Sequence, residues 1–214
     1  GVAARRLDKL SDLKDNAPER VFTARIDVTD EDAEVALFQL IKRMGGLDLY
    51  FHSSGIGWKN PTLEAEKEIK TMETNATGFT RMVGAAYRYF AAKGGGHIVC
   101  ITSIAGTKGL GSAPAYSATK AMQNTYLQAL EQLANNHRYN IRFTDIRPGF
   151  VDTPLLSDSS HFPMLMKTEN VAKSIMKAIE KKRHVSVIDG RWRIFTAVWR
   201  RIPNWIWRRM KLNN

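Results

Sequence analysis

The regular alternation of short apolar segments with longer amphipathic ones is the feature that most constrains the fold. The short segments are rich in β-branched residues, as buried strands are, and stretches of helix-forming residues separate them. This order predicts an α/β fold with a doubly wound, mostly parallel sheet and helices on both faces. The predicted strands are 1–4, 21–28, 47–52, 97–102, 141–146 and 185–188.

The helix boundaries follow from capping residues and from residues that break helices. Thr29 is predicted to cap a helix that runs to about Arg43, and Thr168 one that runs to Lys182. Pro114 suits the first turn of a helix over 115–134. Further helices are predicted over 7–14, 62–72, 73–93 and, after the last strand, in 190–214 with an interruption at Pro203.

A serine, a tyrosine and a lysine stand at spacings that suit proton transfer. Ser103 follows a predicted strand, at the carboxyl edge where ligands of such sheets bind. Tyr116 and Lys120 lie four residues apart, and therefore on one face of their helix. An ammonium beside a phenol is expected to lower the phenol's pKa from its ordinary value of about 10, so that it acts as a general acid or base.

This arrangement resembles the catalytic signature of the short-chain dehydrogenase/reductase family, in which a serine precedes Tyr-x-x-x-Lys. The resemblance implies a Rossmann-like fold and a catalytic set of Asn75, Ser103, Tyr116 and Lys120. It also implies that Asn75 interrupts a helix, holds a water molecule and connects Lys120 to solvent through a proton relay.

The same resemblance implies contacts with a nicotinamide cofactor. Asp27 and Val28 match the family's acidic residue and apolar neighbour at the adenine, and the turn at Ser54 and Gly55 replaces an Asn-Asn-Ala-Gly stretch, of which only the glycine is retained. The segment after the strand at 141–146 matches the family's Pro-Gly-x-Val-x-Thr. The implied cofactor-binding residues are Arg5, Arg6, Asp27, Val28, Ser54, Gly55, Tyr116, Lys120, Pro148, Gly149, Val151 and Thr153.

Arg5 and Arg6 bear on the choice between NADP and NAD. NAD users of the family commonly carry an aspartate at the end of the corresponding strand, where this chain has Ala4. Guanidinium groups pair with a 2′-phosphate, so NADP is predicted and NAD is the second choice. The alternative is that both arginines are simply solvated at a helix start.

The family's glycine-rich phosphate-binding turn has no counterpart in the sequence. Resemblance places it, with a further strand, ahead of Gly1, and this strand would lie between the strands at 1–4 and 47–52. Without that unit, we expect pyrophosphate binding at the helix N-terminus to be lost. The loss leaves open a second function: an interaction or nucleotide-sensing protein on the same fold, impaired in catalysis.

Charge and cysteine content narrow the class of protein. The net charge is +11, but the segment 190–214 holds seven basic residues and no acidic one, which leaves +4 for the remainder. No nucleic-acid-reading motif accompanies the charge, so nucleic-acid binding is disfavoured. The one cysteine, Cys100, lies in a predicted strand, which predicts neither a disulfide framework nor a metal site and favours a cytoplasmic protein.

The segments 154–167 and 190–214, which lie outside the predicted sheet, bear on the substrate and on interaction partners. The range 1–189 is predicted to be the catalytic domain, and its irregular segment 154–167 an apolar lid, which implies a hydrophobic carbonyl or alcohol substrate. Its alternative is ordinary core packing. The tail, 190–214, combines tryptophans with arginine pairs, and 191–211 suits peripheral contact with the inner face of an anionic membrane. A subunit contact and a cover over the substrate site are alternatives, and resemblance implies a homodimer or homotetramer.

Overall fold

The computed structural model describes residues 1–156 and 162–211, in which strands and helices alternate along the chain. The strands are β1 (Val2–Ala4), β2 (Thr23–Arg25), β3 (Leu49–His52), β4 (Gly96–Ile101), β5 (Ile141–Arg147) and β6 (Val185–Val187). The helices are α1 (Asp8–Asp15), α2 (Ala33–Arg43), α3 (Ala65–Met72), α4 (Phe79–Lys93), α5 (Pro114–Asn136), α6 (Thr168–Glu180), α7 (Gly190–Trp199) and α8 (Asn204–Trp207). A π-helical turn, Glu73–Gly78, joins α3 to α4.

All strand pairs are parallel, which confirms the predicted fold class. Strands β3, β4, β5 and β6 form a four-stranded sheet in that order, and β1 and β2 form a separate two-stranded one. Within the described residues no ladder joins β1 to β3. This division lies at the position where the family resemblance places a further strand.

Strand β4 lies at the centre of the core. Its residues Ile98, Val99 and Cys100 are fully buried, as expected of a strand covered on both faces. One face packs against α4 and α5 through a cluster that includes Phe79, Phe90 and Leu127. The other face packs against α6 and α7, so helices cover both faces of the sheet as predicted.

Two predicted helix caps are wrong. The amide and hydroxyl of Thr29 both donate to the carboxylate of Asp27, at 3.1 and 2.8 Å, which forms a turn and delays α2 to Ala33. Thr168 lies inside α6, and its hydroxyl donates to the carbonyl of Asp152 at 2.8 Å. In both cases the threonine hydroxyl donates a hydrogen bond to a group outside the helix, which a local sequence pattern does not reveal.

The tail packs on the body through its tryptophans. Trp192 and Trp199 are buried in the cluster on the α6 side of the sheet, and Trp207 packs against its edge. Trp207 also donates from Nε1 to the carbonyl of Gly109 at 2.7 Å, and the ammonium of Lys108 donates to the carbonyl of Ile202 at 2.9 Å. The tail therefore holds the loop that connects Ser103 to Tyr116.

The predicted lid is only partly described. Residues 157–161 of the segment 154–167 lie outside the described residues. Met166 is buried in the core and pairs with Val151 in an isolated parallel bridge, so this residue is ordinary core packing. Leu155 is exposed, and Phe162 packs against Phe150 with ring centroids 4.5 Å apart.

Candidate active site

Ser103 is fixed at the carboxyl end of β4. The chain leaves the strand through Thr102, whose amide donates to the carbonyl of Ile146, and Ile104, whose amide donates to that of Pro148. The Ser103 hydroxyl oxygen accepts from the amide of Ala105 at 3.0 Å and so begins a 3₁₀ turn, Ile104–Thr107. Because the oxygen is held as an acceptor, its own proton is left to donate elsewhere.

The start of α5, which carries Tyr116, is held by a carboxylate from α3. Pro114 occupies the first turn as predicted, and the amide of Ala115 donates to Oε2 of Glu68 at 3.0 Å. The other oxygen of Glu68 accepts from the side chain of Asn60 at 2.7 Å. A negative group at a helix N-terminus satisfies a free amide and is stabilised by the helix dipole. The two hydrogen bonds of Glu68 therefore fix the position of Tyr116 relative to the loop 53–60.

Tyr116 lies between that loop and Ser103. Gly57 lies against its ring, where an added Cβ would come within 2.4 Å of the ring carbon Cδ2. Burial raises the pKa of Tyr116 above its ordinary value, and a hydrogen bond with the Ser103 side chain lowers it in part. The prediction that Lys120 lowers this pKa is wrong for this structure, in which the phenol is a neutral proton donor at neutral pH.

Lys120 is buried beside the tyrosine, with its ammonium 5.7 Å from the centre of the Tyr116 ring. The ammonium donates to the carbonyl of Ile101 at 3.2 Å and to Oε1 of Gln123 at 3.0 Å. Burial lowers the pKa of Lys120 to about 8, although the nearby Asp145 carboxylate offsets part of that effect. The site therefore holds a cation that is readily neutralised.

Asn75 lies in the π-helical turn, which confirms that the helix is interrupted there. Its side chain is fully buried and pairs with the backbone of Ile56, accepting from the amide at 2.9 Å and donating to the carbonyl at 2.7 Å. It also donates to the hydroxyl of Thr119 at 3.3 Å. The side chain therefore fixes the loop after β3 against α5.

Gln123 is a site residue that the sequence analysis missed. It is fully buried, and its side-chain amide donates to the main-chain carbonyl of Asn75 at 2.8 Å while it accepts from Lys120. Its position one helical turn beyond Lys120 was the only available signal. The partner on the other side is a backbone atom 48 residues earlier in the chain.

His52, at the end of β3, is structural in this geometry. Its Nδ1 lies 2.9 Å from the hydroxyl of Tyr50, and its ring meets that of Phe79 edge to face at 5.0 Å. Burial, with a smaller effect of the Lys120 ammonium, lowers the pKa of His52 to about 3. The imidazole is neutral at physiological pH and packs as part of the core.

The predicted cofactor residues after β3 and β5 border the site. Gly55 approaches the site closely, since an added Cβ would lie 3.6 Å from the Lys120 ammonium nitrogen, whereas Ser54 is exposed. Pro148 is buried, and Gly149 lies under Trp192, whose Nε1 would be 2.3 Å from an added Cβ. A glycine at 149 is therefore required by the close approach of the tail.

The backbone amide of Val151 is not used in the pairing of its segment with Met166. In its bridge with Met166 the contacts are made by the carbonyl of Phe150 and the amide of Asp152. Parallel pairing of this kind directs the amide of Val151 to the opposite side. The hydroxyl of Thr153 lies 3.4 Å from the carbonyl of Val151. The assignment of both residues to cofactor binding stays a prediction.

The predicted adenine and ribose residues lie at the ends of β1 and β2. Arg5 and Arg6 are exposed, with Nε of Arg5 at 4.0 Å from a carboxylate oxygen of Asp27. Partial burial acts to raise the pKa of Asp27, but hydrogen bonds from Thr29 and the Arg5 guanidinium outweigh it and lower that pKa. Val28 is buried, and its side chain and carbonyl lie against Gly78 of the π-helical turn.

Within residues 1–156 and 162–211, no helix has the length and apolarity needed to cross a membrane. In the same ranges no three His, Cys, Asp or Glu side chains are grouped so that they could hold a metal ion.

The lowered pKa of Lys120 predicts a characteristic dependence of stability on pH. The unfolded lysine keeps its proton up to about pH 10.5, whereas the folded one loses it at about pH 8. Between these values the unfolded state binds more protons, so the free energy of unfolding rises with pH. Relative to Lys120→Met, the wild-type protein should gain about 2 kcal/mol between about pH 7 and 9.5, measured by urea denaturation.

The matched control for this experiment is Lys181→Met, which removes an exposed lysine. Its difference from the wild type should not change with pH. A Lys120→Met protein that tracks the wild type across the same interval would show that the buried lysine titrates as an ordinary one.

The chain is similar in sequence and in fold to known dehydrogenases and oxidoreductases. A family model described as short chain dehydrogenase matches residues 2–163. An uncharacterized oxidoreductase from Myxococcus xanthus is 32% identical over 186 residues, which cover 83% of this chain and 72% of the relative. A short chain dehydrogenase from Burkholderia cenocepacia, solved in complex with NADP, is 21% identical and aligns with a TM-score of 0.80 over 99% of this chain and 85% of its own.

A bulky-bulky ketone specific alcohol dehydrogenase from Comamonas testosteroni shares the same fold. It is 18% identical and aligns with a TM-score of 0.72 over 99% of this chain and 84% of its own. The parallel sheet, the serine at the end of β4 and the Tyr-x-x-x-Lys pair on α5 occur together with a family match over most of the chain. The chain is a member of the short-chain dehydrogenase family of oxidoreductases.

Proposed function

We propose that the protein is an NADP-dependent oxidoreductase that interconverts a ketone or aldehyde and an alcohol on a hydrophobic small molecule. The observation that carries the proposal is the buried ammonium of Lys120, which lies 5.7 Å from the centre of the Tyr116 ring and donates to the carbonyl of Ile101, two residues before Ser103. A phenol that keeps its proton at neutral pH, next to a second hydroxyl donor and a cation, is suited to protonate a carbonyl oxygen during reduction.

The residues around this centre fit a nicotinamide nucleotide. Gly55 lies beside the Lys120 ammonium, the amide of Val151 points away from its strand partner, and Arg5 and Arg6 offer exposed cations at the end of β1. In the proposed assignment Asp27 and Val28 hold the adenine end. Ser54, Pro148, Gly149 and Thr153 border the nicotinamide end.

The reduction needs one hydride and one proton. When bound, the reduced nicotinamide supplies the hydride to the carbonyl carbon. Ser103 donates a hydrogen bond to the carbonyl oxygen, and Tyr116 transfers its phenolic proton to that oxygen as the C=O π electrons move onto it. Lys120 stabilises the phenolate that results, and the Asn75 side chain holds the loop after β3 in place.

A hydrophobic substrate is supported by the apolar residues near Tyr116. Gly57 abuts the tyrosine ring, and the following residue, Trp58, is 40% exposed. The ammonium of Lys59 lies 4.7 Å from the centre of the Phe162 ring, which in turn packs on Phe150. These contacts bring the segment that follows Gly57 and the Phe162 side chain together, and we infer that they would contact an apolar ligand.

Replacing the proton donor tests the reaction. Tyr116→Phe should reduce kcat for ketone-dependent oxidation of NADPH by about 10²-fold or more, because general acid catalysis is removed while the ring is kept. Retained NADPH binding, followed by fluorescence, shows that the site is intact. Full turnover in Tyr116→Phe would sink the mechanism, and a wild-type protein that binds NADPH without turnover would favour the sensing function.

Replacing the two arginines tests the cofactor preference. The double change Arg5→Ala and Arg6→Ala should raise KM for NADPH roughly tenfold and leave KM for NADH nearly unchanged, because only NADP carries the 2′-phosphate. Arg20→Ala, which also removes an exposed arginine, is the control. Equal effects on both cofactors would contradict the assignment.

We further propose that the enzyme is cytoplasmic and touches the inner face of an anionic membrane through 191–211. Ile194, Val198 and Trp205 are more than 60% exposed there, beside a set of basic residues with no acidic neighbour in the tail. Exposed apolar groups and arginines together suit the boundary between headgroups and acyl chains. A homodimer or homotetramer is proposed by family resemblance.

Vesicle binding tests the membrane contact. The wild-type protein should pellet with vesicles that contain phosphatidylglycerol, less so as salt is raised, and the triple change Ile194→Ser, Val198→Ser and Trp205→Ser should abolish pelleting. Leu13→Ser, at an exposed apolar residue outside the tail, is the control. Equal pelleting of wild type and triple variant would exclude the tail as the contact.

A further inference from the structure

We propose that Gln123 is a positioning residue of the Tyr116 site. Its side-chain amide connects the ammonium of Lys120 to the main-chain carbonyl of Asn75 and so holds the lysine in place. The catalytic consequence of this role depends on the proposed function, but the positioning itself does not. The two contacts, at 3.0 and 2.8 Å, are the observations that carry it.

The orientation of the Gln123 side chain is determined by its partners. An ammonium can only donate and a carbonyl can only accept, so Oε1 must face Lys120 and Nε2 must face Asn75. The side chain is fully buried, and a buried amide without hydrogen-bond partners is unfavourable. Gln123 is therefore stable at this position only while both contacts are present.

The carbonyl of Asn75 that accepts from Gln123 lies in the π-helical turn. A helix of α type would use this carbonyl in its own i to i−4 ladder, whereas a π turn shifts the ladder by one residue. Gly78 ends the turn and lets it lie against Val28, where a Cβ would come within 2.7 Å of that side chain. The local distortion thus presents a backbone acceptor to α5.

The Lys120 ammonium depends on Oε1 of Gln123 because the other groups around it balance its positive charge poorly. Tyr116 on its own helix, His52 on β3, Cys100 on β4 and Asp145 on β5 are the titratable groups around it. Nearby Asp145 is itself engaged by Arg147, whose Nη2 lies 2.6 Å from its carboxylate. Gln123 and the carbonyl of Ile101 are the hydrogen-bond acceptors that the ammonium has within the described residues.

The hydrogen bonds that join Lys120 to Asn75 through Gln123 bear on how protons reach the site. The family resemblance implied a water molecule between the lysine and this asparagine. Here the side chain of Gln123 spans the two groups, and an amide holds its hydrogen bonds in one direction. In the proposed reaction Gln123 therefore positions the charged lysine and does not itself carry a proton.

Titration of Lys120 by ¹⁵N NMR of the lysine side chains tests the role without any need for turnover. Gln123→Leu keeps most of the volume but removes the acceptor, so the Lys120 titration should move down by about one pH unit or more. Gln123→Glu keeps an acceptor for the ammonium and adds a negative charge, so the titration should move up. Leu127→Ala, one turn further along α5 and buried in the core, should leave the titration unchanged.

Kinetics provide the second measurement. Gln123→Leu should lower kcat roughly three- to tenfold at neutral pH, with a smaller change in KM, and Gln123→Glu should extend activity to higher pH. An unchanged Lys120 titration in both Gln123 variants would overturn the positioning role even if the wild-type enzyme is active. Absence of turnover in the wild type, with shifted titrations, would instead overturn the proposed function and leave the positioning role standing.

Discussion

The structure depends on a charged amine kept inside the protein, one helical turn from the phenol that it serves. Lys120 is 4% exposed, and the free energy of burying its charge appears as a pKa of about 8. Two hydrogen bonds offset part of this unfavourable free energy. The carbonyl of Ile101, at the end of β4, and the side-chain Oε1 of Gln123 accept from the ammonium. The π-helical turn between α3 and α4 supplies the backbone carbonyl that anchors Gln123. Removing any of these contacts would make the neutral amine more favourable.

The position of the site follows from the sheet. Parallel strands bring the segments after β3, β4 and β5 to one edge, so that Gly55, Ser103 and Gly149 lie around the same space although they are far apart in sequence. The tail adds a contact from the other face, where Trp192 covers Gly149 and Trp207 holds the loop before α5. The loop before α5 and the tail are therefore packed together.

The sequence predicted the elements whose signals are local or periodic. Alternating segments predicted the parallel α/β fold, Pro114 the start of α5, and Pro203 the break between α7 and α8. The interruption at Asn75 came from family resemblance and is confirmed by the π-helical turn. The tyrosine and lysine are four residues apart, so their common helix face was predictable.

What the sequence could not predict depends on contacts between distant segments. Thr29 and Thr168 are sound capping residues, but each has a closer partner in the fold. The pKa of Tyr116 depends on burial, and the role of Gln123 on a backbone atom of another helix, neither of which a motif records.

The pH dependence of kcat/KM for ketone reduction by the wild-type enzyme tests the central claim most directly. The account predicts that kcat/KM falls above about pH 8, as Lys120 loses its proton in the free enzyme. A value of kcat/KM that stays constant to about pH 10 would contradict it, because a lysine with an ordinary pKa would then serve the site.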